Sequence, residues 1–584
     1  MNVEARRITL VADELLGFGR TGGLGTATTF LAAALGRMAH RVELLYAGEP
    51  RDVALDPDWA ALYARAGVEL GMLERGNERT EPAFFARGRD VERALTAASP
   101  DVVVVQDLAA PAYVAMRLRQ LGLGFGSTLF VVYCHGTRQW ITDVARKPRV
   151  LSGALAIGVL EQACVELADV VVSPSAYLLA WMEAQGWNLP DDTRVIPYLT
   201  RSAATGEPPP EPVAAQRIER ITFFGRLEER KGIRPFAAGL DAVSDVLAGL
   251  ELEFLGGPTT PWSPERVAQL LSEETRAALR SVSFETALDQ RAALARLRRP
   301  GTLAVMPSLE DNSPNAVYEC IEGGIPFVAS HAGGTAELVA HEDRDRVLFA
   351  PTAEGVASAL RGALTADAFP PARFAFSPDA ALQAWAGVVA RTVRSAPANE
   401  PPHFDGSEWV VLRDGVEAVD DDAVDVLVRA QAASGADIVT CGITLGSGLQ
   451  HYFLGDPGAL GVLSNSYGTV ALIRRSLLLE HMTSQAVQED PDWPLLARLA
   501  ASGAQIVSIP LPVVARSRPP GKLERHPSDA LLVVRALERG GAHQLRSIAR
   551  LTAGLAADLH APRPTPRRGM RTLARGARRL FART

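Results

Sequence analysis

The run from Met306 to Glu337 constrains this chain more than any other stretch of it. It reads as a buried strand ending at Met306, then a polar loop Pro307-Ser308-Leu309-Glu310-Asp311-Asn312-Ser313. A short helix follows, with Pro314 at its first position, Ser313 as its N-cap and Gly323-Gly324 beyond its end. A second apolar strand, Ile325 to Ser330, leads to the glycine turn Gly333-Gly334-Thr335 that opens another helix. Strand, loop, helix and strand in this order build a parallel sheet, and open parallel sheets bind ligands outside the carboxyl ends of their strands. Asp311 falls at that edge and Glu319 on the helix behind it. Two carboxylates with a glycine turn at a helix N-terminus suit a ligand bearing both hydroxyls and phosphates, such as a sugar nucleotide.

The rest of the first two thirds repeats the pattern. Arg7 to Ala12 reads as a strand, Gly22-Gly23-Leu24-Gly25 as a glycine loop into an apolar helix, and His40 to Tyr46 as a second strand. The loop is not GxGxxG and no acidic residue ends the second strand to hold a ribose, which argues against nicotinamide binding. Asp101 to Val105 and Thr128 to Tyr133 are further strands, the latter running into Cys134-His135-Gly136. His135 either satisfies a local hydrogen bond or faces the ligand edge, and its position after a strand favours the second reading. Val170 to Ser175 gives another strand, with Ser175 capping the helix of Ala176 to Gln185. A proline-rich, unpatterned stretch at 200–217 reads as a linker. Beyond it, strands at Arg220 to Arg226 and Glu251 to Gly256 flank Glu228-Glu229-Arg230-Lys231-Gly232. Val347 to Phe349 is a last strand, and Ser377 to Thr392 a helix with Trp385 on its apolar side.

Taken together, residues 1 to about 395 resemble retaining glycosyltransferases of family 4, which have the GT-B fold. The motifs that carry the resemblance are Gly22-Gly23-Leu24-Gly25, His135-Gly136, Ser173-Pro174-Ser175, Phe224-Gly225-Arg226 with Lys231-Gly232, and the carboxylate motif through Gly333-Gly334-Thr335. The resemblance implies two Rossmann-like domains facing a cleft: an acceptor domain over 1–199, the linker 200–217, a donor domain over 218–376 and a closing helix over 377–395. It implies that Arg226 and Lys231 clamp the donor diphosphate, that Glu319 holds the ribose, and that Asp311 with the adjacent Asn312 and Ser313 binds the transferred sugar. His135 would face that sugar, the loop of Gly23 and Gly25 would approach the phosphate or the acceptor, and Gly225, Gly334 and Thr335 would line the donor site. The family's Glu-x7-Glu pattern becomes Asp-x7-Glu here, because Asp311 stands in register with the first glutamate and Glu310 one position early. Asp311 also suits a plain Asx-type loop role. The chemistry agrees with these residue types: a nucleoside diphosphate leaving group gains negative charge as the glycosidic bond breaks, and fixed cations with helix N-terminal amides stabilise it. Arginine supplies a fork and lysine a movable point charge, so no metal is required and no cofactor beyond the nucleotide-sugar substrate is implied.

Beyond a second linker at 396–408, residues 409–560 resemble the second half of a family 2 glycosyltransferase of GT-A fold. Glu489-Asp490 matches that family's later acidic pair, but of its Asp-x-Asp motif only Asp414 survives, in Arg413-Asp414-Gly415-Val416. A lone aspartate holds a hard cation poorly. Asp420-Asp421-Asp422 reads as a routine match to a helix dipole. The module is therefore expected to be a non-catalytic remnant used for packing or partner contact, with an active second transferase as the alternative. The tail 561–584 carries eight arginines and no acidic residue. It suits either an interfacial helix on anionic lipid, which would fit a lipid-linked acceptor, or a disordered solubilising tail.

Composition sets the outer bounds. At 584 residues the chain needs several cores, and a net charge of -7 argues against a nucleic-acid partner. Cys134, Cys164, Cys320 and Cys441 form neither a CxxC pair nor a disulfide framework, and Cys320 reads as a core residue rather than a reactive thiol. No apolar run reaches the roughly 20 residues that span a bilayer, and the start lacks a signal-peptide pattern. A cytoplasmic location is expected, with peripheral membrane contact through the tail under the first reading of it. The expected activity is a metal-independent retaining transfer of sugar to a hydroxyl acceptor in polysaccharide, glycolipid or glycan assembly. The class-different alternative is a non-enzymatic GT-B-shaped scaffold that binds a nucleotide.

Overall fold

Runs such as Val102-Val103-Val104-Val105 and Leu129-Phe130-Val131-Val132 carry apolar, largely β-branched residues on both faces, so they are stable only with both faces covered. The computed structural model describes residues 5–18, 22–49, 54–145, 152–393, 404–413, 419–458, 461, 465–481 and 492–516. In it these runs lie at the centre of a seven-stranded sheet of order β3-β2-β1-β5-β6-β7-β8, every pair parallel. The strands are β1 (Arg7–Ala12), β2 (Arg41–Tyr46), β3 (Val68–Met72), β5 (Val102–Gln106), β6 (Leu129–Tyr133), β7 (Val170–Ser173) and β8 (Thr193–Val195), with β4 (Thr80–Glu81) outside this sheet. A second parallel sheet has the order β11-β10-β9-β12-β13-β14. It comprises β9 (Arg220–Phe224), β10 (Glu251–Leu255), β11 (Ser281–Glu285), β12 (Thr302–Met306), β13 (Phe327–Ser330) and β14 (Leu348–Phe349). Phe223, Phe236 and Phe254 pack on its face with ring centroids 5.3 to 5.8 Å apart. Both orders reverse direction once, between β1 and β5 and between β9 and β12, and that reversal opens the crevice where a doubly wound sheet binds its ligand. This is the two-domain architecture that the resemblance implies.

Several local expectations shift. The edge strands β3 and β11 escaped the sequence reading because only one of their neighbours is a strand and their side chains are mostly half-exposed, which blurs the apolar run. The linker contains a short helix, Arg201–Thr205, capped by the Thr200 hydroxyl, which accepts from the Ala203 amide at 3.3 Å. The helix after Asp311 is Asn315–Glu322, with Pro314 rather than Ser313 at the cap position; the Ser313 hydroxyl instead pairs with the Tyr318 hydroxyl at 2.9 Å. Gly23 and Gly25 are not in a loop but in the first turn of the helix Gly23–Arg37. Gly22 is its extended cap, and its amide donates to Glu14 Oε2 at 2.7 Å. The closing helix Pro378–Val389 returns to the first domain, where the fully buried Trp385 meets Tyr133 edge-on at 4.9 Å.

The C-terminal module is a mixed sheet of β15 (Trp409–Arg413), β16 (Ile438–Leu445), β17 (Gln450–His451), β18 (Val470–Arg474) and β19 (Ile506–Arg516). Its order is β15-β18-β16-β17-β4, with β19 parallel to β16 on the other side. β4 belongs to the first domain by chain position, so the two share a sheet. They also share one apolar core, in which Val105, Tyr113 and Phe130 of the first domain join Leu427, Val439 and Tyr452 of the module. The three acidic residues at 420–422 do open a helix: Asp420 is the cap of Asp421–Ser434, accepting from the Ala423 amide at 2.8 Å. Asp414, Glu489, Asp490, the linker from 396 to 403 and the arginine-rich tail lie outside the described residues. No helix among the described residues is long and apolar enough to cross a membrane. All four cysteines are buried and unpaired with one another.

Candidate active site

The topological reversal in the second sheet brings together the carboxyl ends of β9 and β12, and with them the two motifs that the sequence holds about 80 positions apart. After β9 the chain passes Gly225 and Arg226, makes a single 3-10 turn Glu229–Lys231, and enters the helix Ile233–Asp241 through Gly232. Gly232 has φ of +77°, and a β-carbon there would overlap the Pro307 carbonyl beyond β12, so glycine is what allows the two loops to touch. The Leu309 amide then donates to the Arg230 carbonyl at 2.8 Å.

In this corner Lys231 Nζ donates to Asp311 Oδ2, Arg230 Nη1 donates to Asp311 Oδ1 at 3.2 Å, and the Ser308 hydroxyl reaches Oδ2 at 3.3 Å. Burial alone would raise the Asp311 carboxyl, but the attraction of Lys231 and Arg230 and the hydrogen bonds they donate outweigh it and hold the group below the usual carboxylate range. Arg230 also pairs with Glu228 at 3.0 Å, and Arg226 with the same Glu228 oxygen at 3.3 Å. Arg226 is the open member of the group, its side chain 61% exposed against 14% for Arg230 and 19% for Lys231. Three cations thus face the carboxylates of Asp311 and Glu228, with the Glu310 carboxylate beside them on the Tyr177 hydroxyl. Gly333, with φ of +64°, packs against the Asp311 backbone, and the Gly334 amide donates to the Asp311 carbonyl at 3.0 Å. Thr335 is buried, its hydroxyl on the Ala332 carbonyl at 3.0 Å. Glu319 lies further along its helix, where Gln290 Nε2 donates to it and burial pushes its carboxyl up to about 7.

The first domain meets this corner with His135. Its backbone amide and that of Gly136 donate to the two oxygens of Asp107 at 2.9 and 3.0 Å. Its Nδ1 shares a proton with the Tyr198 hydroxyl at 2.9 Å, while Nε2 is buried with no hydrogen-bond partner among the described residues. Burial lowers its pKa to about 3, so the imidazole is neutral at ordinary pH. The Asn312 side chain joins the domains: its Nδ2 donates to the His135 carbonyl at 3.2 Å and its Oδ1 accepts from the Ser175 hydroxyl. Glu337 accepts from the amides of Ala176 and Tyr177 at 2.8 and 2.9 Å, and the Tyr177 hydroxyl donates to Glu310. Gly23 lies against Asn315, so the N-terminus of the helix Gly23–Arg37 also faces the second domain.

Sequence reasoning therefore placed Arg226, Lys231, Asp311, Asn312, His135 and Gly334 in one neighbourhood, with Glu319, Thr335 and Ser313 on its supporting elements. It missed Arg230, which touches Asp311 directly, and it missed the first-domain edge. There Asp13, one position beyond β1, has its amide on Gln106 Oε1 at 3.2 Å and its Oδ2 on Arg87 Nη1 at 2.7 Å. Its Oδ1 is buried without a partner among the described residues. Asp107 stands one position beyond β5 in the same way. An acidic residue at the end of a buried strand, directly after Ala12 for Asp13 and one position past Val105-Gln106 for Asp107, was the available signal for both. Among the described residues no group of three or more His, Cys, Asp or Glu side chains is arranged to hold a metal ion.

Residues 21–198 match the family model Glycosyltransferase Family 4, and residues 218–366 match Glycosyl transferases group 1. The boundary between the two matches falls in the stretch that joins the two parallel sheets. Among solved structures the chain is similar to sucrose-phosphate synthase from Thermosynechococcus elongatus, at 18% identity over 66% of this chain and 96% of that one, with a TM-score of 0.46. The catalytic domain of Starch Synthase IV from Arabidopsis thaliana, bound to ADP and acarbose, is 14% identical over 66% of this chain and 99% of that one, TM-score 0.45. Anabaena Alr3699/HepE, in complex with UDP and glucose, is 17% identical over 65% and 95%, TM-score 0.42. No curated protein matches the chain.

Proposed function

We propose that this chain, a glycosyltransferase of GT-B architecture, moves a sugar from a nucleotide-diphosphate donor to a hydroxyl acceptor with retention of configuration and with protein cations in place of a metal. The observation that carries the reading is the corner of Arg226, Arg230, Lys231 and Asp311 between β9 and β12. Exposed Arg226 and the Lys231 ammonium receive the diphosphate oxygens, and the negative charge that grows on the leaving group strengthens those contacts in the transition state. Arg230 stays with Asp311 and Glu228, so Asp311 is first the counter-ion that orients Lys231 and only then a contact for the sugar. Glu319 takes the ribose hydroxyls, and Gly334 and Thr335 bring a backbone turn close to the phosphates.

Retention follows from same-face attack, in which the departing phosphate takes the acceptor proton, so no protein nucleophile is required. A neutral His135 suits hydrogen bonding to a sugar hydroxyl through Nε2 better than proton abstraction. The acceptor lies along the first-domain edge, where the free Asp13 oxygen accepts its hydroxyl. The division into domains over 1–199, 218–376 and 409–560 and the descent of the C-terminal module from half a GT-A fold belong to this reading, as does a glycan or lipid-linked acceptor. The test is transfer from a panel of nucleotide sugars in the presence of EDTA, with the product anomer read by NMR. Retained configuration and persistent turnover support the reading; an inverted product or loss of turnover on chelation contradicts it. Donor binding with no turnover against any acceptor supports a binding scaffold instead.

A further inference from the structure

We infer that the C-terminal module is a strut for the first-domain edge of the cleft, with Tyr452 and Phe85 as positioning residues for Arg87 and Asp13. Calling that edge the acceptor side rests on the proposed function; the mechanical coupling does not.

The connection runs through one helix, Phe84–Ala98, held from the module's side in three ways. First, the strand that leads into it, β4, is two residues long and pairs with β17 and with no other strand among the described residues. The Gln450 amide donates to the Arg79 carbonyl and the Tyr452 amide to the Glu81 carbonyl, both at 2.8 Å. Second, the Phe85 ring, 1% exposed, stacks on Tyr452 with centroids 5.3 Å apart. Third, the Arg89 guanidinium sits 6.0 Å from the centre of the same tyrosine ring. A two-residue edge strand has too few hydrogen bonds to hold itself, so the start of this helix is anchored by the module together with Tyr113 of the first domain, whose ring meets Phe85 edge-on at 6.1 Å.

Residues two apart on a helix point about 200° apart. Phe85 therefore faces the module while Arg87 faces the sheet, and it is Arg87 that reaches the cleft edge: Nη1 to Asp13 Oδ2 at 2.7 Å and Nη2 to the Ala109 carbonyl at 3.4 Å. Asp13 is tied by its amide to Gln106. The next residue, Asp107, holds the amides of His135 and Gly136. Tyr452 is thus connected through Phe85, Arg87, Asp13, Gln106 and Asp107 to the loop that carries His135. A displacement of about 1 Å at Arg87 would stretch its 2.7 Å contact beyond hydrogen-bonding distance and loosen the hold on the Asp13 carboxylate. The module then contributes to the chain's chemistry without holding any reacting group.

Amide hydrogen exchange on the full chain tests this without a ligand. Tyr452→Ala should speed exchange by about tenfold or more in Phe84–Ala98 and at the Asp13 amide, while the β9–β14 sheet keeps its protection. Tyr452→Phe, which preserves the stacked ring, should leave both segments at the wild-type rate. Phe85→Leu approaches the same contact from the other side and should reproduce the Tyr452→Ala pattern if that variant folds poorly. Acceleration confined to the module and Arg79 to Glu81, with Asp13 unchanged, overturns the strut. With methyl hexosides as acceptor probes, Tyr452→Ala should raise the acceptor KM about tenfold with the donor KM unchanged. Wild type that transfers to no probe counts against the proposed reaction, while the exchange data still decide the coupling.

Discussion

Replacing Asp311 by Asn keeps the side-chain shape and removes one charge from a corner that holds three cations. The Asp311 side chain is 12% exposed, and Lys231 and Arg230 both donate to it. At an effective dielectric of about 20, each unit-charge pair at about 3 Å is worth about 5 kcal/mol before desolvation. Desolvation offsets much of that, and losing one partner of a buried pair costs about 3 to 5 kcal/mol in practice. Arg230 keeps Glu228 as a partner, so Lys231 bears most of the loss and the lower end, about 3 kcal/mol, is expected. Because the folded carboxyl is held below its unfolded value, its contribution is complete above about pH 4 and declines as pH falls through the folded value. Urea titrations of wild type and Asp311→Asn should therefore differ by a constant amount between about pH 5 and pH 8 and converge below about pH 4. Equal stability at neutral pH, or a gap that persists unchanged into strong acid, would refute the assignment of Asp311 as the counter-ion of this clamp.

Three further outcomes are expected. Arg230→Met should destabilise the fold more than Arg226→Met, because the first side chain is 14% and the second 61% exposed; equal denaturation midpoints would count against the division of roles. Tyr177→Phe and Glu310→Gln should each weaken the contact between the domains, read as an increase in radius of gyration by solution scattering. The double variant should be no worse than either alone, and additive effects would mean that the two side chains do not act as a pair. His135→Gln should flatten the acid side of the stability profile. A histidine with its folded pKa lowered to about 3 binds fewer protons folded than unfolded, so wild type loses stability as pH drops below about 6.5 and the variant should lose less over the same range.

The parts of this molecule that were legible in its sequence are those where one physical cause dominates. Central strands such as β5 and β6 show as unbroken apolar runs because both their faces are covered, whereas β3 and β11, on the outer edges, carry Glu69 or Ser283 and hide. Arg226, Lys231 and Asp311 could be named because strand, glycine and charge recur in a fixed order. Arg230 could not be separated from its neighbours, since only the 3-10 turn decides which of Glu228-Glu229-Arg230 points at Asp311. Ser313 was misread as a cap because Pro314 beside it suits a first helical position, while the Tyr318 hydroxyl that claims it comes from the helix's own next turn. The bond between β4 and β17 was out of reach: two residues of strand carry no period, and their partner lies about 370 positions away.

Arg226 offers the most direct test of the central claim, because an exposed side chain held by a 3.3 Å contact with Glu228 can be removed with little effect on folding. The measurement is sugar transfer by wild type and Arg226→Ala with the nucleotide sugar that most raises the wild-type melting temperature. The account predicts an unchanged melting temperature for the variant without nucleotide, a lost shift with it, and turnover lower by about 10²-fold or more. A variant that binds and turns over the donor as wild type does would contradict a diphosphate clamp at the carboxyl end of β9.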